Sequence, residues 1–163
     1  MPIQISDVVD ALDSGDFEAQ YVYDRENDEL VWVTDDEIRQ ADTDDEEFEE
    51  AVQQAPGWQE ESLRTAKRIL DSEKDSSQGD AFVSLPSQWD IHMHSIMEDF
   101  VLTLPESEQQ RRLWDVLHHS KAFRRFKDAI YRYDLSDAWY RYRDDRLAEI
   151  ARGWAKENNI QLT

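Results

Sequence analysis

Hydrophobic and polar positions in the first half of the chain change from helical to strand spacing and back. An apolar stripe over residues 6–14, followed by the stop signal Gly15, predicts a short helix. Residues 20–24 and 30–34 are rich in β-branched and aromatic side chains and are joined by a polar link, which predicts a hairpin. Residues 81–85 predict a third strand.

An acidic stretch follows the hairpin and carries two helix-start signals. Thr34 and Thr43 each begin a Thr-Asp-Asp-Glu capping box, so residues 35–54 are predicted to be helical in two pieces. Apolar spacing predicts another helix over residues 60–71, and the polar composition of residues 72–80 predicts a flexible loop.

The second half of the chain has only helical periodicity. About four helices are predicted there, with N-terminal signals at Asp90, Pro105, Ser120 and Ser136. The fold class is therefore α+β: an N-terminal helix and a small antiparallel sheet of about three strands with helices, then an all-helical C-terminal half. We expect a single domain over residues 1–163, with an α/β part at 1–87 and a helical part at 88–163.

Composition narrows the functional classes. Hydrophobic residues make up 39% of the 163 positions, and six each of Trp, Tyr and Phe predict a packed interior. The sequence has no cysteine, which excludes disulfides, thiolate zinc sites and cysteine nucleophiles. Residues 1–12 lack the basic and apolar regions of a signal peptide, and no apolar run approaches membrane-spanning length, so a cytoplasmic location is expected.

The net charge of −20 lies almost entirely in the first half. Residues 1–80 hold 25 acidic and 6 basic side chains, whereas residues 81–163 hold 13 acidic and 12 basic ones. Residues 111–146 alone contain ten basic and six acidic side chains. The first half should therefore repel nucleic acids, and the second half should tolerate anions.

The excess of carboxylates has an environmental interpretation as well as a functional one. Arg outnumbers Lys 13 to 5, and acidic residues outnumber both together by 38 to 18. Such a surface aids solubility in a cytoplasm of high salt concentration, where its self-repulsion is screened. We therefore keep a halophilic source as a hypothesis.

Two patterns suggest metal ligands, but neither is complete. Residues 42–47 are acidic like a calcium loop, yet Glu47 stands where an EF-hand needs glycine, and helix capping explains the pattern. His92 and His94 point apart on a helix, and no third ligand is evident beside them or the pair at 118–119. We expect no metal and no cofactor.

A basic helix is predicted near residues 120–133. Its aromatic residues lie on one face, and its basic residues, including Arg124 and Arg125, lie on the other. Arg124, Asp128 and Arg132 are spaced for an i, i+4 ion-pair ladder. The helix presents a surface to a phosphate-bearing or acidic partner, or it docks on the acidic half of the same chain.

Arg143 breaks the pattern of the last helix, because it projects into the apolar arc around Trp139. A guanidinium there should stack on aromatic rings and pair with a carboxylate, for which Glu98 and Asp99 are the candidates. Such a pair is either part of a binding site or a structural tie between helices.

Several motifs of the second half occur in a characteristic order and spacing. They are Ser84-Leu-Pro-Ser87, Ile96-Met-Glu-Asp-Phe100, Phe123-Arg-Arg-Phe-Lys-Asp128, Trp139-Tyr-Arg-Tyr-Arg-Asp144 and the segment 151–160. Together they resemble uncharacterised protein family 0158, a bacterial group, and the likeness is looser in the first half. The resemblance implies a small cytoplasmic bacterial protein, and it supplies no catalytic residue. The dense acidity of the first half departs from the family pattern.

These observations favour a non-enzymatic binding or regulatory module that acts on an unidentified protein partner, without membrane contact. One alternative is nucleic-acid binding through helix 120–133, which the net charge disfavours. Another is an enzyme with a carboxylate and arginine site, although the sequence contains no phosphate-cradling glycine motif and no nucleophile elbow. The candidate binding residues are Glu98, Asp99, Arg124, Arg125, Asp128, Trp139 and Arg143.

If the acidity is an adaptation to salt, the free energy of unfolding should rise between low and molar KCl, because salt screens the repulsion among carboxylates. Urea unfolding followed by tryptophan fluorescence measures this. KCl is preferred to a sulfate, since kosmotropic salts strengthen apolar burial by another route. Equal stability in low and molar KCl would contradict the hypothesis.

Overall fold

The sheet is formed by the predicted hairpin and the predicted third strand. The computed structural model describes residues 2–14, 18–75 and 81–163. The strand order is β2-β1-β3, and both neighbouring pairs are antiparallel, with Val22 opposite Val31 on one side and Ser84 on the other. The elements of this half are α1 (Ile5–Asp13), β1 (Ala19–Asp24), β2 (Glu29–Thr34), α2 (Asp35–Ala41), α3 (Asp45–Gln54), α4 (Glu60–Lys74) and β3 (Phe82–Ser84).

The acidic stretch is helical in two pieces, as predicted, but only one of the two capping boxes is right. The Thr34 hydroxyl accepts from the Glu37 N–H at 3.1 Å, and the Glu37 carboxylate accepts from the Thr34 N–H at 3.1 Å. The N-cap of α3 is Asp44 and not Thr43, because the backbone N–H of Thr43 still belongs to the end of α2 and donates to Ala41. Asp44 serves equally well, since its carboxylate accepts the first-turn N–H of α3.

Helix α4 is longer than predicted. It continues to Lys74, and Ser72 is buried with its hydroxyl donating to the Ile69 carbonyl at 2.7 Å. The first residues of the predicted loop at 72–80 are therefore helical. Residues 76–80 lie outside the described residues, so the flexibility of that segment stays a prediction.

The second half is helical, as predicted, with one short helix before four longer ones. The Ser87 hydroxyl caps α5, and Asp90 is the third residue of the helix and completes the capping box, so Asp90 is not the N-cap that the sequence predicted. Hydrogen bonds from the Ser87 backbone and hydroxyl lower the pKa of the Asp90 carboxyl. The elements are α5 (Gln88–Ile91), α6 (Met93–Thr103), α7 (Glu108–Leu117), α8 (Ala122–Arg132) and α9 (Ser136–Glu157).

Other helix starts differ from the predicted residues by one or two positions. Helix α7 is capped by Ser107, whose hydroxyl accepts from Gln110, and not by Pro105. Helix α8 follows Lys121, which has a left-handed φ of 58° and no side-chain cap, so Ser120 does not cap it. Ser136 is the first residue of α9, and its N-cap is Leu135.

Helix α9 connects the two halves. Trp139 is 2% exposed and packs edge-on against Phe100 of α6 and Phe126 of α8, at centroid distances of 5.4 and 5.2 Å. Near the other end of the helix, the Trp154 indole N–H donates to the Ser84 carbonyl of β3 at 2.9 Å. The main core therefore lies around α9, and the helices α2–α4 enclose a smaller cluster that includes Phe48 and Leu63.

The two ends of the described chain pair beside this core. Ile3 and Leu162 form a parallel bridge, and the Thr163 N–H donates to the Ile3 carbonyl at 3.0 Å.

Among the helices of the described residues, none has both the length and the apolar character that a bilayer crossing requires.

Asp24 is the most buried carboxylate of the sheet, with 1% of the residue exposed. Burial alone would raise its pKa, but hydrogen bonds from Asn27 and the nearby charge of Arg68 outweigh burial and lower the pKa. The Asn27 amide donates at 2.7 Å, and a guanidinium nitrogen of Arg68 lies 3.3 Å away. The ionised carboxylate thus fixes the β1–β2 turn and connects it to α4.

We predict that Asp24→Asn lowers the free energy of unfolding at neutral pH by about 1–3 kcal/mol, because the Arg68 and Asn27 donors lose a charged acceptor. The pKa of Asp24 is lower in the folded state than in the unfolded one, so the unfolded state binds more protons as the pH falls. The stabilisation is therefore present above the usual aspartate pKa and is lost below it.

Urea unfolding between neutral and acidic pH tests this prediction. The difference between wild type and Asp24→Asn should shrink as the pH falls below about 4. Glu26→Gln is the matched control, since Glu26 also pairs with Arg68 but its side chain is 80% exposed, and it should change stability little. A difference that is independent of pH would contradict the role of the ionised carboxylate.

Candidate functional site

A cleft of about 490 Å³ opens where α6, α8 and α9 meet, and we call it the three-helix cleft. Each helix contributes two lining residues spaced i, i+4, which places both on one face of that helix. The pairs are Met93 and Met97 from α6, Phe123 and Lys127 from α8, and Trp139 and Arg143 from α9. Asp13 at the end of α1 also lines the cleft, together with Gln88, His92 and His94.

Arg143 lies at the edge of this cleft and is largely buried, with 18% of its side chain exposed. It stacks on the Tyr140 ring, 4.9 Å from the centroid, so the predicted aromatic contact is confirmed. Its carboxylate partners are Asp13 at 3.3 Å and Asp144 at 3.0 Å. Arg143 thus connects α9 to α1 and lines a cleft as well.

The predicted pairing of Arg143 with Glu98 or Asp99 is wrong. Asp99 pairs instead with Arg146, at 2.8 Å, because Arg146 lies nearly one turn further along α9, next to α6. Glu98 faces the histidines, with one oxygen 2.8 Å from His94 Nδ1 and the other 3.8 Å from His118 Nε2.

His94 is held firmly in the wall of the cleft. Its Nδ1 lies against Glu98, and its Nε2 lies 2.7 Å from the Leu117 carbonyl at the end of α7. Its ring also contacts Phe123 edge-on, with centroids 6.3 Å apart. Glu98 therefore supports the cleft from behind, through His94, and does not line it.

Lys127 and Arg143 are the two permanent cations of the cleft, and they differ in their surroundings. Arg143 already has two carboxylate neighbours. Lys127 is exposed, and the part of the chain that the structure describes offers it no carboxylate within 4.0 Å. The described lining therefore contains two permanent cations and one carboxylate, Asp13, in a protein of net charge −20.

Trp139 forms part of the apolar lining and has an unusual polar atom. Its Nε1 is buried and has no hydrogen-bond acceptor among the residues that the structure describes. Buried polar groups in proteins are nearly always paired, and an unpaired donor costs about 1–3 kcal/mol. The indole nitrogen is therefore an unsatisfied hydrogen-bond donor within the described residues, and it belongs to a residue that lines the cleft.

Arg125 and Asp128 lie elsewhere. They line a groove of about 430 Å³ between α7 and α8, on the opposite side of α8 from Phe123, together with Arg112 and Arg132. Arg124 is exposed and lines neither the groove nor the three-helix cleft. The structure therefore separates the predicted binding residues into a cleft pair, Trp139 and Arg143, and a groove pair.

Two expectations about α8 are wrong. Within the described ranges, Arg124, Asp128 and Arg132 form no ion pair, because all three side chains are exposed and such pairs add little in water. Helix α8 packs mainly against α7 and α9, and its basic residues face solvent, so the described part of the acidic half does not cover its basic face.

The cleft residues that sequence reasoning missed are Asp13, Gln88, Met93, Met97, Phe123 and Lys127. The sequence shows the i, i+4 spacing of each pair, but this spacing does not indicate which three helices pack together. His92 and His94 were noticed as a pair. They both reach the cleft because His92 has a left-handed φ of 53°, which breaks the helix between α5 and α6.

Residues 42–44 of the acidic hexapeptide 42–47 connect α2 to α3, and residues 45–47 form the first turn of α3. Asp42 pairs with Lys74 at 3.3 Å, and Asp45 lies 3.7 Å from Lys67, so both carboxylates have a cationic neighbour on α4. Over residues 2–14, 18–75 and 81–163, no group of three or more His, Asp or Glu side chains is arranged to hold a metal ion.

Comparison with known proteins gives a family and one curated relative. A UPF0158 protein of Pseudomonas aeruginosa is 36% identical over 67 residues, a segment that covers 40% of this chain and 44% of the relative. The match thus spans less than half the length of the relative. No solved structure matches the chain. The model of the uncharacterised protein family UPF0158 matches residues 67–163, from the middle of α4 through all three helices of the cleft, and the chain belongs to this family.

Proposed function

We propose that this chain is a small non-enzymatic binding module that acts by protein–protein interaction through the three-helix cleft. The observation that carries the proposal is the composition of this cleft: Met93, Met97 and Trp139 line a concave apolar surface, and Lys127 and Arg143 lie beside it. Its volume of about 490 Å³ lies within the range of typical ligand sites, about 300–1,000 Å³.

The rim of the cleft supports a protein partner. Phe123 is 49% exposed and Tyr140 is 46% exposed, and Tyr140 stacks on Arg143. Protein interfaces are enriched in aromatic residues, Met and Arg, and their binding energy concentrates where such residues surround a pocket. An apolar depression with exposed aromatic rings at its edge therefore favours a partner that inserts a side chain.

The positions of the carboxylates support a non-enzymatic role. An acid–base catalyst must face the space where the substrate binds. The carboxylates among the predicted binding residues, which are the candidates for an acid–base role, do not line the cleft: Glu98 lies behind His94, Asp99 pairs with Arg146, and Asp128 lies in the α7–α8 groove. Asp13 does line it, but Asp13 is in an ion pair with Arg143.

Nucleic-acid binding by α8 is the second candidate, because Arg124, Arg125 and Arg132 are exposed to solvent. The net charge of −20 opposes it, since long-range repulsion acts on any polyanion that approaches. Filter binding of single- and double-stranded oligonucleotides over a salt series separates the two candidates. We expect no binding near physiological salt. Binding that weakens steeply with added salt would favour the nucleic-acid function.

We predict that Phe123→Asp abolishes capture of the partner, because it places a carboxylate at the apolar rim of the cleft. The wild-type protein is immobilised and exposed to nuclease-treated native lysate, and the captured proteins are quantified by mass spectrometry. A partner of the cleft should be depleted at least about tenfold with the variant, as for loss of an interface hot spot.

Trp58→Asp is the matched control, since Trp58 is 80% exposed and lies in the acidic half, away from the cleft. Circular dichroism and thermal unfolding show whether both variants fold. A partner that is retained with Phe123→Asp, or lost equally with Trp58→Asp, would contradict the assignment of the cleft.

A further inference from the structure

We infer that the partner segment which enters the three-helix cleft carries a large apolar side chain next to a single carboxylate. This inference rests on the proposed function and deepens it by naming the chemistry that the cleft selects. It follows from the apolar lining, from the distribution of charge around that lining, and from the indole nitrogen of Trp139.

The apolar lining is wide and adaptable. Met93 is unbranched and partly exposed, so it can change rotamer and fit side chains of different shapes. Phe123 provides an exposed aromatic face, whereas Met97 and Trp139 are 1% and 2% exposed and form the buried floor of the cleft. An aromatic or long aliphatic side chain buries the most area in such a place, and it makes favourable sulfur–aromatic contacts as well.

The charge next to this lining selects an anion. Arg143 is stacked on Tyr140 and paired with Asp13 and Asp144, so its charge is largely compensated. Lys127 lies one helical turn from Phe123 on the same face of α8, and no ion-pair partner is described for it. A carboxylate adjacent to an apolar side chain in the cleft would therefore find Lys127 within reach.

The rest of the protein limits how acidic the segment is. A net charge of −20 repels a polyacidic segment as a whole, whereas a single carboxylate meets the local cation with little long-range repulsion. At physiological salt the repulsion from the acidic half is screened beyond about 8 Å, so the carboxylates beside the cleft, Asp13 and Asp144, are the ones that oppose a second negative charge. The cleft therefore favours a partner segment with one negative charge over a segment with several.

The Trp139 indole N–H gives the segment a further contact. The nitrogen is fully buried, so an acceptor reaches it only when a lining side chain moves. Met93 lines the same cleft, is partly exposed and can change rotamer. A backbone carbonyl of the bound segment that reaches the nitrogen would satisfy this donor, and the binding would favour a peptide over a purely apolar ligand.

The test is an NMR titration of the ¹⁵N-labelled full-length chain with capped twelve-residue peptides in a Gly–Ser background. The probes have Trp-Asp, Trp-Asn, Ala-Asp or Trp-Asp-Asp-Asp at the centre. We expect the Trp-Asp peptide to shift the resonances of Met93, Met97, Lys127 and the Trp139 indole. It should bind about threefold to fivefold more tightly than the Trp-Asn peptide, which is the value of one exposed ion pair. The Ala-Asp and triple-Asp peptides should bind more weakly than Trp-Asp.

Lys127→Gln should remove the preference for Trp-Asp over Trp-Asn, because it removes the cation that the carboxylate of Trp-Asp would contact. Lys121→Gln is the matched control, because Lys121 is exposed at the start of the same helix and does not line the cleft. It should retain the preference. Equal affinity for Trp-Asp and Trp-Asn in the wild type, or shifts confined to residues outside the cleft, would overturn the inference.

The outcomes also separate this inference from the proposed function. If capture from lysate depends on Phe123 but the peptides do not discriminate by charge, the inference fails and the cleft remains a protein-binding site. If N-acetyltryptophan binds as tightly as the Trp-Asp peptide, the cleft takes a small amphipathic acid, and the assignment to a partner segment is overturned.

Discussion

The burial of α9 is the constraint on which the other features of this protein depend. Trp139 is enclosed by Phe100 and Phe126, which fixes α9 against α6 and α8. Further along, Trp154 donates to the Ser84 carbonyl and packs edge-on against Tyr23, so the same helix also holds the sheet. Helix α9 packs against helices at one end and against strands at the other, so its rotation about its own axis is fixed. Trp139 and Arg143 therefore lie in the cleft.

The acidity of the chain and its candidate site are separate in the structure. In the acidic half, carboxylates compensate the few cations that are present, as where Glu49 and Glu60 flank Arg64 at 3.1 and 3.2 Å. These hydrogen bonds lower the pKa of Glu49, and the pair is exposed, so it adds little to stability. The cleft lies in the half where charge is nearly balanced, and Lys127, which has no ion-pair partner among the described residues, adds a positive charge to its lining.

Helices and strands could be predicted from the sequence where the signal lies within a few residues. The candidate site could not be predicted, because it depends on which helices pack together in the fold. Strand pairing from β-branched runs and the Thr34 capping box are set by neighbours within a few residues, and both are confirmed. The N-cap predictions at Thr43, Asp90 and Ser120 were wrong for two reasons. Either two adjacent polar residues compete to cap one helix, or a residue with a left-handed φ directly precedes the helix. Arg143 was recognised as unusual from its place in an apolar arc, but its partner Asp13 is 130 residues away in sequence, and helical spacing holds no information about that distance.

That partner shows how the N-terminal segment contributes to a site built mostly by other helices. The family match begins within α4, after α1 has ended, yet Asp13 of α1 lines the cleft and holds Arg143 at 3.3 Å. The pairing of Ile3 with Leu162 brings the first helix next to the end of α9 and so determines where Asp13 lies. Without Asp13, Arg143 would face the cleft with one carboxylate fewer, and two cations would compete for an incoming anion. The sequence of α1 therefore decides whether Arg143 has two carboxylate partners or only Asp144, and it affects the selectivity of residues that it contacts only at its final turn.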